Sequence, residues 1–102
     1  MRVRIVAEAE TEAQEAALWY EQQRQGLGVE FLDSFEGALR AIGITPQGFT
    51  RIRRVGSSRE VRHFVLQRFP YRIVYEVRSD EVLVLAVAHV RRRPFYWKKR
   101  EG

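Results

Sequence analysis

The chain reads as an α+β domain of order β-α-α-β-β-β, an antiparallel helical hairpin packed on one face of a small, mostly antiparallel sheet. Three observations predict this. Apolar residues recur at helical spacing from Ala9 to Ile42, strand patterning fills residues 60–90, and one brief strand pattern precedes both. At 102 residues the chain fits a single domain, 1–102, large enough to bury roughly 60–70% of its unfolded surface.

Arg2 to Val6 alternates basic and apolar residues and carries the β-branched Val3 and Ile5, so it predicts a short first strand. From about Ala9 the period changes. Ala9, Ala13, Ala16, Ala17 and Tyr20 form one stripe, and Glu8, Glu10 and Glu12 load the first turns, where carboxylates complement the helix dipole. This first helix is predicted to run to about Gln25. Gly26-Leu27-Gly28 interrupts it, with Gly26 expected just past the helix end at the position that favours glycine. Phe31, Leu32, Phe35, Leu39 and Ile42 then mark a second helix, ended by Gly43 and Pro46. A connection of about three residues makes the two helices antiparallel neighbours.

Gly48, Gly56 and Ser57-Ser58 predict a loop over residues 47–58, with room for a short strand near Ile52. Three strands follow, Glu60–Arg68, Tyr71–Arg78 and Glu81–Val90, joined at Phe69-Pro70 and Ser79-Asp80. Such short connections demand antiparallel pairing. Val82 to Ala88 is apolar on both faces, the pattern of a strand inside the sheet.

There is no cysteine, which excludes disulfide scaffolds, thiolate metal sites and cysteine nucleophiles and suits a reducing compartment. The start MRVRIVAEAE is too short in apolar residues for a signal peptide, and no stretch approaches the ~20 apolar residues of a membrane span. A cytoplasmic protein without membrane contact is expected. The net charge of +5 hides an asymmetry: residues 1–48 carry four Arg against eight acids, and residues 49–102 carry fourteen Arg and Lys against five acids. Sixteen of the eighteen basic residues are arginine, whose planar fork suits phosphate and carboxylate.

The chemistry is concentrated at the end. His89 to Arg100 holds six cations, one histidine and the aromatics Phe95, Tyr96 and Trp97. Arginines supply phosphate contacts and rings supply stacking for unpaired bases, so this segment suits RNA or distorted DNA. Equally, Phe95 and Trp97 could cap the open end of the core while the cations remain solvated. His89 ends the apolar strand as a possible general acid or base. Alternation lets a subset of Arg62, His63, Gln67, Arg68 and Arg72 share a sheet face with it. No phosphate-binding glycine loop, metal-ligating carboxylate cluster or activated serine is present, so no metal or cofactor is expected. A metal-free nuclease acting on the 2′-hydroxyl of RNA, a protein that disables a nucleic-acid enzyme by docking, and a basic nucleic-acid-binding module all stay open.

Several stretches together resemble the RelE/ParE family of type II toxin–antitoxin toxins. They are Trp19-Tyr20-Glu21, Gly26-Leu27-Gly28 with Phe31, Phe69 through Tyr75, and His89 through Trp97. The resemblance spans almost the whole chain, and its fold is the one read above. It implies a bacterial growth inhibitor held by a cognate antitoxin in a hetero-oligomer. ParE-like members poison DNA gyrase; RelE-like members cleave messenger RNA on the ribosome. Gln67 stands where the ribonuclease branch is expected to carry a strand arginine, and the chain closes Lys99-Arg100-Glu101-Gly102 without a terminal His-Tyr pair. Both departures, with the Arg-x-Pro-x-Tyr-Trp stretch, favour the ParE-like, plasmid-stabilisation branch. The resemblance then implies no catalytic residue, with Arg91, Arg92, Arg93, Tyr96 and Trp97 in the surface that meets gyrase, its DNA or the antitoxin. Replacing Arg92 and Trp97 is accordingly expected to relieve toxicity while the fold survives. The ribonuclease alternative would use Arg62 or His89 for phosphate contact or proton transfer, Arg92 as a phosphate clamp and Tyr96 for stacking or acid–base work.

Overall fold

A computed structural model describes residues 1–101 apart from 54 and 57. Ser57 of the expected loop and the terminal Gly102 therefore lie outside the described residues. The elements are β1 (Val3–Ile5), α1 (Ala7–Gln23), α2 (Leu27–Ile44), a 3-10 turn (Pro46–Gly48), β2 (Thr50–Ile52), β3 (Glu60–Val65), β4 (Tyr71–Val77) and β5 (Val82–His89). They build a five-stranded mixed sheet of order β1-β5-β4-β3-β2, in which β1 runs parallel to β5 and the other pairs are antiparallel. The α+β fold is as expected, and the strand near Ile52 is β2, which extends the meander beyond β3.

The alanine stripe decides how α1 sits. Ala9, Ala13, Ala16 and Ala17 are buried, and such small side chains let the helix lie close to both α2 and β5. α2 buries the larger Phe31, Phe35 and Ile42. At one end of this layer Tyr20, Phe31, Phe69 and Tyr71 interlock, mostly edge to face, with centroids 4.8–6.3 Å apart.

The boundaries shift for local reasons. α1 stops at Gln23 because Arg24 is extended, and Gly26 sits at φ +88° as the cap that opens α2 rather than directly behind the end of α1. Gly43 lies inside α2, which runs on to Ile44. β3 ends at Val65, three residues short of Arg68, since Leu66 and Phe69 turn inward and are buried. The connector is closed by Leu66 N donating to Tyr71 O at 2.9 Å. Val82 to Ala88 is fully buried, as its two-sided apolar pattern demands. Within β5, Leu85 is left out of the pairing with β4, a one-residue bulge between Val84 and Ala86.

Candidate functional site

β1 is only three residues long, so it pairs with β5 at Val82–Val84 and leaves the rest of that edge without a strand. The open stretch is closed by side chains. Glu12 of α1 reaches the edge, where its Oε1 accepts Val87 N at 3.0 Å, while Arg100 Nη1 donates to Leu85 O at 3.0 Å beside the bulge. The carboxylate of Glu12 also accepts the Tyr96 hydroxyl at 2.8 Å and both Arg100 amino groups at 2.9 and 3.1 Å. One nearly buried glutamate thus ties the tail (residues 90–101) to the helical layer.

The tail is compact. Phe95 adopts φ +63°, an unfavourable value for a bulky residue, and turns the chain so that Lys98 N donates to Phe95 O and Arg100 N to Trp97 O. Its end is anchored by Arg59, which donates to Lys98 O at 2.9 Å and pairs with Glu76, and by Arg78, which donates to Glu101 O at 2.7 Å.

These contacts sort the expected site residues. Arg91, Arg92 and Arg93 are exposed at the start of the tail. Arg92 lies over the Tyr96 ring at 4.0 Å, with Nη1 3.8 Å from Glu12. Tyr96 is half-buried, and burial together with its bond to Glu12 pushes its phenol well above the usual tyrosine range. Trp97 is 1% exposed and belongs to the core cluster. It cannot form part of a contact surface, because its indole closes the hydrophobic core. The structure supports Trp97 as a core cap, so replacing both Arg92 and Trp97 would destabilise the core as well as alter the surface.

Of the four residues of the ribonuclease alternative, His89, Arg92 and Tyr96 lie near one another and Arg62 lies apart. His89 and Arg92 line a common cleft of about 490 Å³ with Glu15, Trp19, Tyr20 and Tyr71. His89 Nδ1 accepts Arg91 N at 3.1 Å, so the neutral ring carries its proton on Nε2. Its ring meets Tyr71 edge-on at 5.2 Å, and burial, with a smaller effect of Glu12, raises the Tyr71 phenol. Tyr96 stands beside this group with its hydroxyl already donated. Arg62 is elsewhere. It pairs across strands with Tyr75, four residues along β4 from the Tyr71 that pairs with His89, and its guanidinium holds Glu60 Oε2 at 2.9 Å and Phe49 O at 2.7 Å. Arg62 shares a sheet face with His89 through this register, whereas His63 and Arg72 occupy the opposite face and touch each other at 3.5 Å. Gln67 and Arg68 lie in the connector, where Arg68 pairs with Glu30.

Glu12 and Arg100 are the site residues that sequence reading passed over. Glu12 stands directly before Ala13 and four residues before Ala16 on the buried stripe, which is a signal that an acid there faces the interior edge. Among the described residues no group of three metal-ligating side chains occurs, and no helix is long and apolar enough to cross a membrane.

The geometry can be set beside known proteins. The solved structure titled "Chromosomal ParDE TA system from P. aeruginosa" superposes with a TM-score of 0.64 at 17% identity, covering 87% of this chain and 95% of the other, a likeness of fold. No curated protein matches the sequence. The family profile described as "ParE toxin of type II toxin-antitoxin system, parDE" matches residues 3–94, from β1 to the start of the tail. The chain therefore belongs to the ParE toxin family of type II toxin–antitoxin systems.

Proposed function

We propose that the protein is a growth inhibitor that poisons DNA gyrase and is neutralised by a cognate antitoxin. The family match over residues 3–94 carries this reading. The structural engagement of two of the ribonuclease candidates supports it from a second side: Arg62 is committed to Glu60 and Phe49, and the Tyr96 hydroxyl, with its raised pKa, is bound to Glu12. A phenol that is already a donor to a carboxylate is a poor candidate to stack freely or exchange protons with a nucleic acid. Gyrase inhibition needs none of these groups to react. It needs a stable shape and a contact surface, which the exposed Arg91, Arg92 and Arg93 offer beside the cleft. The antitoxin would mask this surface and the apolar groove of about 300 Å³ between α1 and α2, lined by Ala13, Leu32, Phe35 and Leu39.

The test is a supercoiling assay with purified gyrase. Inhibition with accumulation of cleaved DNA, reversed by antitoxin and weakened at least tenfold in the R91A/R92A/R93A variant, is the expected result. Gyrase that stays fully active, together with a prompt collapse of amino-acid incorporation on induction in cells, would transfer the activity to the ribosome. His89 and Arg92, which share the cleft, would then be the residues to replace.

A further inference from the structure

The tail is more than a cap on the core, because it lays cations along one flank of the sheet. Its anchors show its course. At its start Arg91 N bonds His89 Nδ1, and at its end Arg78 holds Glu101 O next to the β4–β5 turn while the neighbouring Arg100 side chain reaches back to Leu85 O. The tail thus returns along β5, whose seven residue steps span roughly 23 Å.

Exposed along this path are Arg91, Arg93, Lys98 and Lys99, and at the far end Arg53 in the β2–β3 loop, the loop that also carries the Arg59 that binds Lys98 O. Among the described residues none of these five is paired with a carboxylate. The acids of this half of the molecule are spent: Glu60 on Arg62, Glu76 on Arg59 and Arg78, Glu81 on Arg4 and Glu101 on Arg4. Among the described residues only Asp80 is left over. Besides Asp80 and the paired Glu101, the exposed acids Glu8, Glu10, Glu15, Asp33 and Glu36 lie on α1 and α2.

We infer that this flank binds the phosphate backbone of duplex DNA directly, without gyrase. Duplex DNA is favoured over an unpaired strand because the tail's rings are occupied in folding. Trp97 is buried, Tyr96 lies under Arg92 and Arg100, and Phe95 is half-buried, so base stacking along the tail is lost while phosphate contact remains. Over 23 Å of duplex axis about seven phosphates pass on each strand, enough to meet five cations. Arginine and lysine side chains that meet only phosphates carry no base readout, so binding is independent of sequence.

The experiment is fluorescence anisotropy of a 20-base-pair duplex with the full chain over a range of salt. If all five cations engage, log K falls with log salt at a slope of about −4.5. K98E, whose backbone carbonyl still serves Arg59, should weaken binding at least tenfold at low salt, and R93E should do the same at the other end. R40E, an equal charge change on α2, should stay within twofold of the parent. Far-UV circular dichroism checks that each variant is folded. No binding at low salt, a slope shallower than about −2, or equal weakening by R40E and K98E would overturn the inference. Displacement of the duplex by poly-glutamate of equal charge, at equal concentration, would also overturn it and make the flank a surface for acidic peptide. Because gyrase is absent from this assay, its outcome is separate from that of the supercoiling test.

Discussion

At the residue scale Glu12 joins the helical layer to both β5 and the tail. It satisfies a strand N–H left open by the short β1, fixes the Tyr96 ring, and neutralises Arg100, which is itself largely buried. Glu12→Ala leaves that guanidinium without a counter-charge and Val87 N without an acceptor, so we expect a loss of about 3 kcal/mol, read as a shift in the urea midpoint. Glu12→Gln retains an acceptor and should lose less. The partners are 75 to 88 residues away in sequence, which is why the role of Glu12 is not legible without the fold. Tyrosines set the alkaline limit. Burial raises the Tyr75 phenol to about 12, and its hydroxyl donates to Pro46 O at 2.6 Å. A folded value above the unfolded value of about 10 means that the folded state holds more protons between those two, so stability falls as pH rises through that window. The contribution of Tyr75 is full below pH 10, amounts to about 3 kcal/mol, and is gone by about pH 12. Urea midpoints at pH 9 and pH 11 check this, and Tyr75→Phe should flatten the difference. The carboxylates of Glu30, Glu60 and Glu81, held low by arginine partners, act in the opposite sense and are lost as pH falls below the ordinary carboxylate range.

At the scale of elements the helical hairpin is held by its turn. The Glu21 carboxylate accepts Gly26 N at 2.9 Å and Gly28 N at 3.0 Å, so the last turn of α1 caps the first turn of α2. Gly28 is pressed so close that a Cβ would stand 2.6 Å from Ala17 O, main chain that cannot swing aside. Gly37, further along the same helix, has only the end of the Arg40 side chain within reach at 3.7 Å. The same substitution should therefore act with opposite sign. Gly28→Ala is expected to cost about 2 kcal/mol by overpacking, and Gly37→Ala to gain about 0.5–1 kcal/mol in helix propensity. Thermal midpoints of the two variants measured side by side test this. The hairpin was legible because its alanine and phenylalanine stripes have helical period and glycines mark the gap. The end of β3 was not, since Leu66, Gln67 and Arg68 continue a plausible strand pattern and only the inward turn of Leu66 and Phe69 stops it. The tail was half legible. Its charge stood out, but six cations in twelve residues look like a surface strip and conceal that Trp97, among them, completes the core.

At the scale of the whole molecule the tail raises the question of whether it is an appendage or part of the folding unit. A domain of this size is stable by only about 5–15 kcal/mol. Trp97 is 1% exposed, and its removal alone should cost about 3–5 kcal/mol through the cavity it leaves. To this are added the ion pair of Arg100 with Glu12 and the anchors of Arg59 on Lys98 O and Arg78 on Glu101 O. Without the tail Glu12 loses most of its partners, and Glu76 keeps Arg59 and Arg78 while the carbonyls those arginines also bind disappear. The sum is comparable with the entire stability, so a chain ending at Val90 should show no cooperative urea transition, and its far-UV spectrum should lose much of its strand signal. A truncated chain with an unchanged midpoint and slope would mean that β5 and α1 close the core without Trp97. The full-length R91A/R92A/R93A variant separates surface from fold, since those three side chains are exposed. It should keep a cooperative transition and lose no more than about 1 kcal/mol, the worth of the Arg92 contact with the Tyr96 ring. Loss of toxicity there reports on contact, whereas loss of toxicity on truncation reports on folding.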